Sequence, residues 1–283
     1  MTHNLYRQKQ ATRQIAFFAM VVLTAIFLVP ILLVLVNSFK SRLYISSSPF
    51  SLPNEETFVG FQNYIAGLST AGFFAAFLRS LFITVFSTVI IIVCTSMTSW
   101  FMVRVKNKFT GALYYLFAFS MIVPFQMVMY TMTFVVNRMN FDNIFGVVFV
   151  YLGFGAGLSV FMFTGFVKAI PLELEEAAEI DGCNPLQTFF LVVFPVLKPT
   201  AITVAILNSM WIWNDYLLPY LVLGTDNKTV PVAIQIAMQG AYGATDYGGF
   251  MAMLVLAIIP IVIFYISAQK YIIKGVISGA VKG

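Results

Sequence analysis

The run IAFFAMVVLTAIFLVPILLVLV, residues 15 to 36, contains no charged side chain and no side-chain amide. Crossing the hydrocarbon core of a bilayer takes about 20 residues of helix, so this run is long enough to span. Five more runs of the same kind follow, and spans are expected at about 15–37, 75–103, 111–135, 144–168, 196–223 and 248–269. Backbone N–H and C=O groups find no water in hydrocarbon, so each span must satisfy them internally as a helix. The alternating segments of about ten residues that mark an outer-membrane barrel are absent. Only 10% of the residues are charged, against about 25% in soluble domains. The expected fold is an all-α polytopic membrane protein with six transmembrane helices. Residues 1–14 form an N-terminal tail, 15–270 the transmembrane domain and 271–283 a C-terminal tail.

Arg7, Lys9 and Arg13 precede the first run, as in a signal peptide. The run exceeds the roughly 7–15 residues of a signal-peptide core, and no small-x-small cleavage pattern closes it. It reads as a retained first helix. A cytoplasmic N-terminus places eleven of the sixteen bases inside: Arg7, Lys9, Arg13, Arg104, Lys106, Lys108, Lys168, Lys198, Lys270, Lys274 and Lys282. Lys40, Arg42, Arg79, Arg138 and Lys228 fall outside. That bias puts both termini in the cytoplasm. It also accounts for the net charge of +5 without nucleic acid, because the bases are scattered between apolar spans. The segments 38–74 and 224–247 are then external. The first includes FQNYIAGL, which suits a short surface helix, and the second is rich in turn-forming residues.

Catalytic and metal chemistry have little to work with. His3 is the sole histidine, and Cys94 and Cys183 give neither a disulfide framework nor ligand spacing. Pro30, Pro124 and Pro260 lie in spans, where each removes one N–H donor. Gly146, Gly153, Gly157 and Gly165 in the fourth span are expected to allow close helix packing, Gly153 and Gly157 lying one turn apart.

The acid is concentrated in one place. Glu173, Glu175, Glu176, Glu179 and Asp181 account for nearly half of the eleven carboxylates, all inside the cytoplasmic loop 171–195 between spans four and five. Pro171 suits a first helical position, and the following glutamates favour the positive end of the helix dipole. Leu174, Ala177, Ala178 and Asp181 share one side at helical spacing. Gly182 can end the helix in left-handed geometry. Asn184 and Pro185 restart a second helix as N-cap and first residue, and Pro195 is expected to break it. This helix–glycine–helix–proline shape fits both a solvated connector and a docking element.

The residues Glu176-Ala177-Ala178, Gly182 after three intervening residues, Val192 and Pro195 resemble the EAA loop of ABC importer membrane subunits. In that pattern Val192 fills the β-branched position and Phe194 replaces the usual leucine. The words IVPFQMVM, WIWNDYLLPYLVLG and QKYIIKGVISGAVKG extend the likeness to carbohydrate-importer permeases similar to the shorter membrane subunit of the maltose transporter. The resemblance implies a permease subunit in a bacterial or archaeal cytoplasmic membrane. Its partners would be a second permease subunit, two cytoplasmic ATP-binding subunits and an extracellular solute-binding protein. Glu176, Ala177, Ala178, Asp181, Gly182 and Pro195 would then form a coupling element docking on an ATPase. Lys274, Gly279 and Lys282 of the tail would give a second ATPase contact, although a basic tail also suits anionic lipid. ATP and magnesium belong to the partner, since no G-x-x-x-x-G-K-[ST] loop occurs here. No cofactor is expected on this chain, which reads as a translocation subunit rather than an enzyme.

The expected solute is a sugar, with glycerol phosphate or another polyol derivative as the alternative. Asn208, Trp211 and Asp215 share a helical face of span five, and Gln126 sits beside Pro124. All four are candidate pathway residues. Asp215 also suits a structural place at the outer mouth, about 30 Å of helix beyond Pro195. A passive channel or secondary carrier is the alternative of a different class. It is disfavoured by the lack of an evident inverted repeat and of further acids in the spans.

Overall fold

The computed structural model describes residues 2–70, 72–239 and 246–280, with side chains over 12–69, 72–238 and 246–269. Thirteen α-helices occur among the described residues: α1 (Thr2–Asn37), α2 (Arg42–Ser47), α3 (Gln62–Thr70), α4 (Phe73–Arg104), α5 (Lys108–Ser120), α6 (Phe125–Arg138), α7 (Ile144–Val167), α8 (Glu173–Ile180), α9 (Pro185–Gln187), α10 (Phe194–Asn214), α11 (Leu217–Leu223), α12 (Val230–Gln239) and α13 (Tyr247–Ala280). No strand occurs among them, only an isolated antiparallel bridge between Lys40 and Phe58. Five helical stretches are long and apolar enough to cross a membrane: Thr12–Asn37, Phe73–Arg104, Ile144–Val167, Pro185–Asn214 and Tyr247–Gln269.

The expected third span differs. It is a pair, α5 and α6, bent by 109° between Ser120 and Phe125. Pro124 takes an extended ψ of 138° and caps α6 without an N–H to give. The residue before a proline is also biased away from helical geometry, and here α5 has already ended at Ser120. Pro30 and Pro260, by contrast, remain inside α1 and α13.

The fifth span also departs from expectation. Pro195 does not stop the helix. The run begins at Pro185 and passes through a π-helical turn, Thr188–Val193, directly into α10. In an α-helix the proline ring would collide with the carbonyl four residues back. A wider π turn immediately before Pro195 relieves that collision, and Phe194 donates its N–H to the Phe189 carbonyl five residues back. The run ends at Asn214. Asp215 adopts an extended ψ of 121°, and α11 starts afresh at Leu217.

The terminal segments and the segment 224–247 are more helical than expected. α1 begins at Thr2, and α13 runs on to Ala280 through most of the C-terminal tail. α12 occupies much of the segment expected to be loop, with Val230, Val232, Ala233 and Ile234 buried.

The described residues fall into two compact units, within Met1–Phe73 and Ile234–Ile259, and within Phe74–Ala233 and Pro260–Gly283. In the first, the Asn63 amide donates to the carbonyls of Ser38 and Lys40, and the Ser38 and Tyr64 hydroxyls share a hydrogen bond of 2.7 Å. Lys40, expected as an external base, is fully buried there. Its Nζ donates to the Ser48 carbonyl and the Ser51 hydroxyl.

In the second unit α7 is central and packs against α5 and α10. Tyr151, Phe163 and Val167 of α7 join Ile91 of α4 and Phe189, Leu197 and Val204 of the long run in one core. The glycines that permit this are not quite the expected ones. A Cβ on Gly155 would come within 2.6 Å of Ile91 Cδ1, and one on Gly157 within 2.6 Å of Ser120 Oγ. Gly153 and Gly165 face open space. Close packing therefore rests on the Gly155–Gly157 pair, two residues apart, the first meeting Ile91 and Asn208 and the second Ser120. Many large apolar side chains outside this core are exposed, as along residues 15–32 of α1. Helices in lipid keep such surfaces bare of water.

Candidate functional site

The acid-rich helix α8 is built by its ends. Leu172 is its N-cap and Pro171 precedes it, two positions before the first helical residue rather than at it. Glu173, Glu175 and Glu176 occupy the first turn, where carboxylates stabilise the positive end of the dipole. At the other end Gly182 has φ +86°, the left-handed geometry that glycine adopts without a Cβ penalty. The Cys183 N–H bonds the Ala178 carbonyl at 2.9 Å and the Gly182 N–H bonds Glu179 at 3.0 Å. That pair of bonds is the Schellman arrangement. Two residues on, Asn184 and Gln187 cap each other reciprocally, with Pro185 at the first turn of the next helix.

The packing face of α8 is rotated from the small-residue face expected. Glu175 and Ala178 turn inward, while Leu174, Ala177 and Asp181 are exposed together with Glu173, Glu176, Glu179 and Ile180. A buried glutamate in the middle of an acidic helix needs a partner, and α4 supplies two. The Arg104 guanidinium donates to Glu175 Oε1 through Nη2 at 2.6 Å and through Nε at 2.9 Å. The Trp100 indole N–H donates to Oε2 at 2.9 Å. Arg104 Nη2 also donates to the Ile170 carbonyl at 3.0 Å. The Trp100 ring lies 5.5 Å from Phe189, which is buried in the π turn.

One cluster thus ties the end of the second span to α8 and to the start of the long fifth run. Arg104–Glu175 is the ion pair found among the described residues. Trp100 and Arg104 are four apart on one helix face, so the sequence carried a signal. Nothing in it said which of five carboxylates they meet.

The remaining candidates separate. Asn208 is buried, donating to Ser159 Oγ and the Val204 carbonyl, so it cross-links α10 to α7. Asp215 accepts from the Tyr151 hydroxyl at 3.1 Å and from the Leu217 N–H at 3.0 Å, capping the start of α11. Trp211 stands edge-on to Tyr151 at 5.4 Å and is 40% exposed. Gln126, in the first turn of α6, is exposed. The face expected to unite Asn208, Trp211 and Asp215 is therefore split between a buried link, an exposed ring and a cap. Lys274 and Gly279 lie on the helical backbone of α13 with their side chains outside the described residues, and Lys282 lies outside them altogether.

Fold and site together define a polytopic α-helical membrane protein whose fourth and fifth spanning helices are joined by a short, acid-rich helix pinned to the second. The chain belongs to the family of binding-protein-dependent transport system inner membrane components, whose pattern matches residues 70–278. It is 39% identical to the probable starch degradation products transport system permease protein AmyC of Thermoanaerobacterium thermosulfurigenes, covering 98% of this chain and 99% of that one. It is 33% identical to the multiple sugar-binding transport system permease protein MsmG of Streptococcus mutans, over 94% and 97% of the two chains. Its fold is similar to that of a chain in a bacterial ABC transporter that imports the acidic polysaccharide alginate. The TM-score is 0.76 at 23% identity, over 91% of this chain and 96% of the other.

Proposed function

We propose that this chain is a membrane-spanning permease subunit of an ATP-driven importer and carries a sugar into the cytoplasm. The observation that carries the solute class is the end-to-end likeness to AmyC and MsmG, permease proteins named for starch degradation products and for multiple sugars. The sugar arrives on an extracellular solute-binding protein. A second permease subunit completes the pathway, and two cytoplasmic ATP-binding subunits bind ATP and magnesium. Both termini lie in the cytoplasm, consistent with the distribution of bases.

In this reading α8 is the coupling element. Its outward face offers acids beside Leu174, Ala177 and Ile180, the last 87% exposed, so an ATPase cleft would meet a mixed apolar and anionic peg. Glu176, Ala177 and Asp181 contact the ATPase, while Ala178 and Gly182 hold the shape of the peg. Pro195 follows the π turn and lets a push on the peg pass along an unbroken helix into α10. The tail residues Lys274, Gly279 and Lys282 form a second contact with the ATPase pair. Trp211 and Gln126 line the solute pathway, because sugars stack their C–H faces on aromatic rings and bond their hydroxyls to amides. Asn208 and Asp215 hold that wall in place from behind.

Replacement of Gly182 by aspartate is the test of coupling. It adds a side chain at positive φ in the bend without touching the spans. Membrane insertion should be retained, while uptake and ATPase association are lost. Unimpaired transport by Gly182→Asp would refute the coupling role. The solute is found by asking which sugar, presented with its binding protein, stimulates ATP hydrolysis by the purified complex.

A further inference from the structure

A cavity of about 720 Å³ opens beside the α4–α8 cluster, between the end of α4, the start of α5 and the end of α7. Its walls carry Arg104, Lys106, Lys108 and Lys168, together with Tyr114 and Tyr115. No carboxylate lines it among the described residues. Arg104 is committed to Glu175, but Lys106 and Lys108 are exposed and form no ion pair among the described residues. Lys168 sits with its ammonium 5.8 Å from the centre of the Tyr114 ring. Thr164, another lining residue, is only 4% exposed, and its hydroxyl has no hydrogen-bond partner. Two unpaired lysines and a third over a tyrosine ring line one concave site, with a hydroxyl unspent in its wall, and together they are the complement of an anion.

We propose that this cavity binds the phosphodiester headgroup of an anionic phospholipid. Height and surroundings favour lipid over a soluble anion. Arg104 is the last residue of one spanning stretch, and Lys168 immediately follows another, so the cavity lies where a bilayer meets water. From there α5 presents Phe109, Leu116 and Phe119, each more than 60% exposed, as a surface on which acyl chains can lie. Basic pockets between spanning helices on the cytoplasmic side suit such headgroups. A free phosphate would gain from the lysines and have no use for this apolar wall. The bound lipid would stand beside Arg104, the partner of Glu175. Membrane charge would then bear on the anchor of α8.

The test is native mass spectrometry on the intact transporter complex, titrated with phosphatidylglycerol or with phosphatidylcholine. Phosphatidylglycerol should remain bound to the permease where phosphatidylcholine does not. Each lysine removed should weaken binding about fivefold, so Lys106→Gln, Lys108→Gln and Lys168→Gln combined should weaken it on the order of a hundredfold. All three side chains are exposed, and the variant complex is checked for intact assembly by its mass. Lys198→Gln, an exposed base outside the cavity, should change nothing. Equal retention of the two lipids, undiminished binding by the triple variant, or an equal loss with Lys198→Gln would overturn the site. Displacement of the lipid by millimolar inorganic phosphate would show a free-phosphate site and overturn the lipid assignment.

Discussion

Glu175 and Asp215 are two carboxylates of one compact unit, and they are held in opposite ways. Glu175 meets a cation, Arg104, and an indole N–H, both contributed from more than seventy residues away in the sequence. Asp215 meets neutral donors: the Tyr151 hydroxyl, and the N–H of Leu217 only two residues on. The first carboxylate joins separate elements of the fold. The second mainly shapes a local turn, with one cross-link to α7. The contrast teaches that an acid's charge matters most where its removal strands an opposite charge, whereas neutral donors left behind cost far less.

That contrast can be broken by substitution. The largest effect is expected for Glu175→Ala, which leaves the Arg104 guanidinium partly buried and unpaired. Loss of one partner from such a pair costs about 3 kcal/mol at the lower end of its range, read as a drop in the thermal stability of the purified transporter. Removing Arg104 as well, as Glu175→Leu with Arg104→Met, should recover much of that loss, because no charge is then stranded. Additive losses in the double variant would mean that the two side chains act independently.

Asp215→Ala comes next, at about 1–2 kcal/mol, the usual cost of losing a cap. Trp100→Phe and Tyr151→Phe remove one donor from each carboxylate and should each cost about 1 kcal/mol. The smallest effect belongs to Asp215→Asn, within about 0.5 kcal/mol: the amide oxygen keeps the Leu217 bond, and the NH2 that replaces Oδ2 can donate to the Tyr151 hydroxyl, which then accepts. An Asp215→Asn loss as large as that of Glu175→Ala would erase the distinction and give Asp215 an electrostatic role.

Much of the design is legible from residues alone where the cause is local. The Gly182 bend and the Asn184–Pro185 restart follow from backbone sterics and caps within a few residues, and both occur as expected. The spans follow from run length against bilayer thickness. Pro124 was visible as a helix-disturbing residue, but the 109° bend was not, because Pro30 and Pro260 have the same local chemistry and stay helical. Whether a proline breaks a helix depends on what packs around the freed carbonyl. The same holds at Pro195, where a π turn absorbs the strain.

The amino-acid sequence by itself determined that this chain lives in a bilayer, that its spans are helices, and that one acid-rich helix–glycine–helix element interrupts them. Those are consequences of apolar run length, backbone hydrogen bonding and chain geometry at single residues. Tertiary structure alone decided which acid of five turns inward, that Gly155 rather than Gly153 meets a neighbouring helix, and that Lys106, Lys108 and Lys168 surround one cavity. Such pairings depend on helix rotation and on contacts between residues far apart in the chain, and helical periodicity leaves both open.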